Sequence, residues 1–111
     1  MVNRKDIVLV NLSPSIGSEQ GNLRPAIVLQ HDALNKNANT IVVVPITSKI
    51  YGKKYPMHVL IEGFGLNKKG TIKVEHIRSI DKKRIVKKIG SADNNIMLEI
   101  KNALLKTCDY Y

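Results

Sequence analysis

Three short polar stretches in this chain carry side chains suited to handling a phosphate. They are Ser18-Glu19-Gln20 with Arg24, then Thr47-Ser48-Lys49, then Glu75-His76 with Arg78, and each lies where an apolar run starts or stops. Core packing gives little reason for polar groups at such points. An arginine offers a rigid fork of donors that matches phosphate oxygens and stays charged, and a threonine hydroxyl adds a hydrogen bond to a phosphoryl oxygen. Together they can stabilise the extra negative charge of a pentavalent transition state. On position alone, an ion pair between Arg24 and Glu19 explains the arginine equally well.

Other chemistries have weaker footing. His31, His58 and His76 are far apart and show no paired ligand spacing, so no metal is expected. Cys108 is the only cysteine, which rules out a disulfide within the chain and reads as a free thiol in a reducing compartment. Neither a P-loop nor a G-x-G-x-x-G stretch occurs, so a nucleotide cofactor has no support and none of any kind is expected. The charge balance points to a polyanion instead. Lysine and arginine number 18 against 9 acidic residues, a formal charge of +9, which favours capture of nucleic acid.

The elements that must position these groups are short strands. Residues 6–12 are rich in β-formers and stop at Ser13-Pro14; a polar loop with two glycines follows, and Arg24-Pro25 opens the run 26–29. Residues 40–46 form a continuous β-branched run, the pattern of a strand buried on both faces. Residues 57–61, 71–74 and 84–89 are further strand candidates, with a turn at Asp81-Lys82-Lys83. Ile96, Met97, Ile100, Ala103 and Leu104 fall on one helical face, with Ser91 or Asp93 as the cap. The expected fold is mainly β: a small barrel or curled sheet of antiparallel strands with a C-terminal α-helix. A length of 111 residues leaves room for one domain, 1–111, with one core and one site. The N-terminus lacks an apolar stretch of signal length and the longest apolar run, Ile41 to Ile46, is too short to span a membrane, so the cytoplasm is the expected location and no membrane partner is foreseen.

Asp6-Ile7-Val8-Leu9-Val10-Asn11-Leu12-Ser13-Pro14, followed by Gly17-Ser18-Glu19-Gln20-Gly21 and Arg24-Pro25-Ala26-Ile27-Val28, resembles the signature of the MazF/PemK toxin family. Val44-Pro45-Ile46-Thr47-Ser48-Lys49 and the block from Glu75 to Ile85 follow in the family's order and spacing, so the resemblance spans nearly the whole chain. It implies a homodimeric SH3-like barrel that cuts single-stranded RNA at a short sequence without a metal and is neutralised by a cognate antitoxin. The family's catalytic arginine and threonine map onto Arg24 and Thr47. The reaction it implies is attack of a 2′-hydroxyl on the adjacent phosphorus, leaving a 2′,3′-cyclic phosphate and a 5′-hydroxyl.

An arginine with a pKa above roughly 12 is a poor proton acceptor, so Arg24 is expected to stabilise charge and donate, while Glu19, His58 and His76 are candidates for the base. Single-stranded RNA is read by stacking and by hydrogen bonds to base edges. The candidate RNA contacts are Ser18, Glu19, Gln20, Ser48, Tyr55, Pro56, His58, Glu75 and His76. Tyr51 and Tyr55 among Lys49, Lys53 and Lys54 suit a stacking platform, although Tyr51 fits a barrel-end cover as well. Lys68, Lys69, Lys82, Lys83, Lys87 and Lys88 read as a diffuse field. An acidic, partly disordered antitoxin segment would compete for the same basic groove.

Two residues depart from the family pattern: Lys5 replaces a glycine before the aspartate, and His76 replaces a glutamine, which bears on the cleavage sequence more than on activity. Two other readings use the same fold. One is a gyrase poison, whose relative acts through a C-terminal tryptophan that this chain lacks. The other is a catalytically idle RNA-binding module.

Overall fold

The computed structural model describes residues 2–13, 22–52 and 55–109. Its strands are β1 (Asp6–Asn11), β2 (Leu23–Val28), β3 (Thr40–Thr47), β4 (His58–Ile61), β5 (Gly70–Lys73), β6 (Arg78–Asp81) and β7 (Ile85–Ser91). A short helix α1 (Asp32–Asn35) links β2 to β3, and helix α2 (Asn94–Cys108) follows β7. The antiparallel β architecture with a C-terminal helix is as expected. The hydrogen-bonded order is β4-β5-β3-β2-β1-β7, with β6 also on β3, so the sheet curls with β4 and β7 at its two ends rather than closing into a barrel. These ends approach each other through backbone, where the turn after β4 meets Ile89 and Gly90.

β3 is the axis of the molecule. Successive strand residues face opposite sides of a sheet, so β3 sends Val44 and Ile46 into one apolar cluster and Ile41 and Val43 into another. The single core expected from chain length is therefore two. The first is covered by α2 through Ile96, Met97, Ile100 and Ala103, and the second gathers Val8, Val10, Leu12, Ala26, Val28 and Ile80. Asp93 caps α2, its Oδ1 accepting the Ile96 N–H at 2.9 Å. No helix among the described residues is long and apolar enough to cross a membrane.

Several boundaries differ from the sequence pattern. β2 begins at Leu23, so Arg24 and Pro25 belong to a strand, opposite Val10 and Leu9 of β1. β6 and α1 carry no clear apolar period and have no signature in the sequence. Lys82–Arg84 form a 3-10 turn capped by Asp81, whose Oδ1 accepts the Lys83 N–H at 2.8 Å. Beyond β2, Gln30 continues the ladder with its side chain: Nε2 donates to the Thr40 carbonyl at 3.0 Å and Oε1 accepts the Val42 N–H at 3.3 Å. Buried Asn35 holds that amide in place, accepting from Gln30 Nε2 and donating to the Gln30 carbonyl.

Candidate active site

The pairing of β2 with β3 runs through Val28↔Val43, Ile27↔Val44 and Ala26↔Pro45, and then stops. Pro25 and Pro45 have no N–H to extend the ladder. Carrying the same register two residues further sets Arg24 opposite Thr47, at the point where the strands part. A cleft of about 600 Å³ opens there, lined by Arg24, Pro25, Ile46, Thr47 and Ser48 among others. Among the described residues its charged lining is Arg24, Lys68, Lys87 and Lys88, with no carboxylate. Such a cluster of one sign favours an anion.

Thr47 is held firmly. It is 9% exposed, its hydroxyl accepts the Lys49 N–H at 3.3 Å, and no described residue accepts its own O–H. On its other side β5 begins at Gly70, where a Cβ would lie 2.6 Å from the Thr47 carbonyl oxygen. Thr71, paired with Thr47 across the ladder, donates its hydroxyl to the Lys49 carbonyl at 2.8 Å and so fixes the chain leaving the cleft.

That chain leads to a second cluster. His58 Nε2 and Glu75 Oε2 are 2.8 Å apart, and the His58 side chain is only 6% exposed because two tyrosines cover it. Tyr55 stacks on His58 at 5.0 Å between centroids, Tyr51 tilts against it at 4.5 Å, and the tyrosines meet edge to face. The Nζ atoms of Lys49 and Lys73 sit 4.9 and 5.4 Å from the Tyr51 ring centre, within cation–π range. Partial burial raises the Glu75 pKa, but the His58 hydrogen bond, its own backbone amide and the charges of His58 and Lys73 outweigh it and hold the carboxyl below its ordinary value.

The candidate residues thus divide between the two clusters. Arg24, Thr47 and Ser48 share the cleft; Tyr55, His58 and Glu75 share the aromatic cluster. Pro56 lies exposed in the turn before β4, and His76 is half-buried in the 3-10 turn Val74–His76. Neither His58 nor His76 is among the described residues that line the cleft. Ser18, Glu19 and Gln20 lie outside the described residues, as does any ion pair of Glu19 with Arg24. The chain on either side of them is pinned, since the Leu12 N–H donates to the Asn22 carbonyl at 3.0 Å and Ser13 Oγ hydrogen-bonds both the backbone and the side chain of Asn22. Lys68, Lys87 and Lys88, expected to spread a diffuse field, instead line the cleft itself. Lys73 carries no signal in the sequence; its place follows from pairing opposite His58 in the β4–β5 register.

Comparison with known proteins identifies the family. Residues 3–107 match the family described as PemK-like, MazF-like toxin of type II toxin-antitoxin system. The chain is 42% identical over 106 residues to the endoribonuclease MazF of Staphylococcus epidermidis, covering 94% of this chain and 88% of that protein. Its fold is similar to crystallised MazF from Deinococcus radiodurans, with a TM-score of 0.83 at 28% identity over 96% of each chain. It is also similar to MazF in a MazE-MazF crystal from that organism, with a TM-score of 0.75 at 28% identity over 96% of this chain and 95% of that one. The chain belongs to the family of PemK-like, MazF-like toxins of type II toxin-antitoxin systems.

Proposed function

We propose that this chain, a toxin endoribonuclease by family, cleaves single-stranded RNA at a short sequence without a metal and leaves 2′,3′-cyclic phosphate and 5′-hydroxyl ends. The observation that carries this reading is the meeting of Arg24 and Thr47, from two different strands, in one cleft whose charged lining among the described residues is cationic. In the reaction the 2′-hydroxyl oxygen bonds to the neighbouring phosphorus while the bond to the 5′-oxygen breaks. Arg24 pairs with the non-bridging oxygens, offsets the charge that builds on them and gives a proton to the departing 5′-oxygen. Thr47 donates its O–H to a phosphoryl oxygen. The 2′-hydroxyl proton goes to a carboxylate in our assignment, that of Glu19, since neither His58 nor His76 is among the described residues lining the cleft.

Base reading falls to the aromatic cluster and the polar residues near it. Unstacked bases gain about 1–3 kcal/mol each by stacking on aromatic rings, and Tyr51 and Tyr55 supply such rings. Glu75, His76, Ser18 and Gln20 contribute hydrogen bonds to base edges, with Ser48 at the cleft. Two protomers form the working enzyme, and an acidic, partly disordered antitoxin segment occupies the same cationic cleft and excludes RNA.

The test is incubation of the purified protein with long single-stranded RNA in EDTA, followed by mapping of the ends. Loss of one donor to a developing oxyanion costs roughly 10²–10³ in rate, so Arg24→Ala and Thr47→Ala should each cut at least that much more slowly than wild type. Variants that cut as well as wild type would overturn the site assignment. Gyrase inhibition without cutting would overturn the enzymatic reading altogether.

A further inference from the structure

We propose that Lys68 and Lys87 each hold an RNA backbone phosphate flanking the scissile one, so that the cleft grips a run of the strand rather than one phosphodiester. This rests on the function proposed above. β7 carries Lys87 and Lys88 side by side, and adjacent strand residues point to opposite faces. Against β1 the register passes from Ile7↔Gly90 to Val8↔Lys88 and from Leu9↔Lys87 to Val10↔Ile85, leaving Ile89 and Val86 as extra residues on either side of the pair. Two such bulges twist the strand there. Between them the pairing is regular, and Lys87 stands beside Leu9, which lines the cleft with it.

The charges on this wall are not equivalent. Lys88 Nζ lies 3.3 Å from Asp6 Oδ1, so its charge is balanced within the protein. Lys87 and Lys68 have no carboxylate partner among the described residues. Lys68 arrives on the turn between β4 and β5, and that turn is seated on β7 backbone to backbone: a Cβ on Gly65 would lie 2.4 Å from the Ile89 carbonyl oxygen. Two uncompensated cations therefore stand on the wall built by β7 and the seated turn, while Arg24 and Thr47 come from β2 and β3. A cleft of about 600 Å³ exceeds one phosphodiester group, and the next anions along an RNA strand are its neighbouring phosphates.

Binding of a short, fully 2′-O-methylated RNA, which cannot be cut by this chemistry, separates direct contacts from a general field. Each phosphate neutralised on a single strand adds about 0.7 to the slope of log affinity against log salt. Raising KCl from about 50 to 200 mM should then weaken wild-type binding roughly 2.6-fold more than Lys68→Gln or Lys87→Gln, and roughly 7-fold more than the double variant. Lys68→Arg and Lys87→Arg should keep the wild-type slope, as should Lys69→Gln, whose lysine does not line the cleft. Wild-type slopes in the Lys68→Gln and Lys87→Gln variants, or an equal change in Lys69→Gln, would overturn the inference. Loss of binding to an acidic peptide with the RNA slope intact would overturn it too, by giving these lysines to another ligand. If wild type binds this RNA with the expected slope yet cuts no ordinary RNA, the cleavage reading fails and the phosphate contacts do not.

Discussion

Replacing Gly90 with alanine asks whether the turn after β4 must lie flush on β7. A Cβ at Gly90 would be 1.9 Å from the Phe64 carbonyl oxygen and 2.8 Å from its carbon, where real contacts of that kind essentially never fall below 3.0 Å. Both neighbours are backbone and cannot rotate away, so the turn must retreat by roughly 1 Å, the gap between 1.9 and 3.0 Å. Phe64 and Leu66, which pack on the cluster beneath α2, are then pulled from it, and Lys68 leaves its place on the cleft wall. Overpacking of this kind costs about 1–3 kcal/mol. At about 4–8 °C per kcal/mol for a domain near this size, Tm should fall by roughly 5–20 °C. Gly52→Ala is the control, because a Cβ there meets nothing within 4 Å and neither glycine has a positive φ. Thermal melts followed by circular dichroism give the answer, with the salt slope of RNA binding as a second readout. A Gly90→Ala melt within about 2 °C of wild type would refute the close packing on which the reasoning stands.

Two further outcomes follow from backbone and charge. The depressed Glu75 pKa means that its ionised form is favoured in the folded chain, so its stabilisation is present above its ordinary value of 4.5 and is lost as pH falls through the depressed one. The Tm gap between wild type and Glu75→Gln should therefore shrink as pH falls below about 4, and a gap that persists unchanged in acid would contradict the His58–Glu75 pairing. Lys5 has φ of 83°, a conformation imposed by its N–H donating to the Val28 carbonyl and its carbonyl accepting the Ala92 N–H, both at 2.9 Å. A side chain there costs about 1–2 kcal/mol and glycine's extra freedom when unfolded costs about 0.5–1, so Lys5→Gly should raise Tm by a few degrees; a fall would refute it.

Much of this architecture can be read from residues alone. The run of residues 40–46 has no polar interruption because β3 feeds an apolar cluster on each face, and the spacing of Ile96, Met97, Ile100 and Ala103 marks the face of α2 that packs. Arg24 and Thr47 draw notice as polar residues near strand ends, but it is the resemblance to the MazF/PemK signature that singles them out. β6 was invisible because Arg-Ser-Ile-Asp offers one buried apolar side chain, Ile80, and owes its strand to pairing with β3. The place of Lys87 on the cleft wall is hidden for a different reason: it depends on the pairing of Lys87 with Leu9 of β1, between two bulges that no local pattern in β7 records. The contacts of Tyr51 with His58 and Lys73 join residues distant in sequence through β4–β5 pairing, which no local pattern records.

Gln30 and Asn35 carry a consequence for the cleft at the other end of β3. Hydrophobicity cannot choose the alignment of this strand, since a slip by one residue among Ile41, Val42, Val43 and Val44 would trade one β-branched side chain for another in either apolar cluster. The same slip would turn Thr47 to the opposite face and away from Arg24. Directional bonds must therefore set the alignment, and the Gln30 amide, clasping Thr40 and Val42 while buried Asn35 steadies it, grips the strand where only one alignment satisfies both atoms. An amide remote from any phosphate thereby acts as the ratchet pawl that decides which residue faces the arginine.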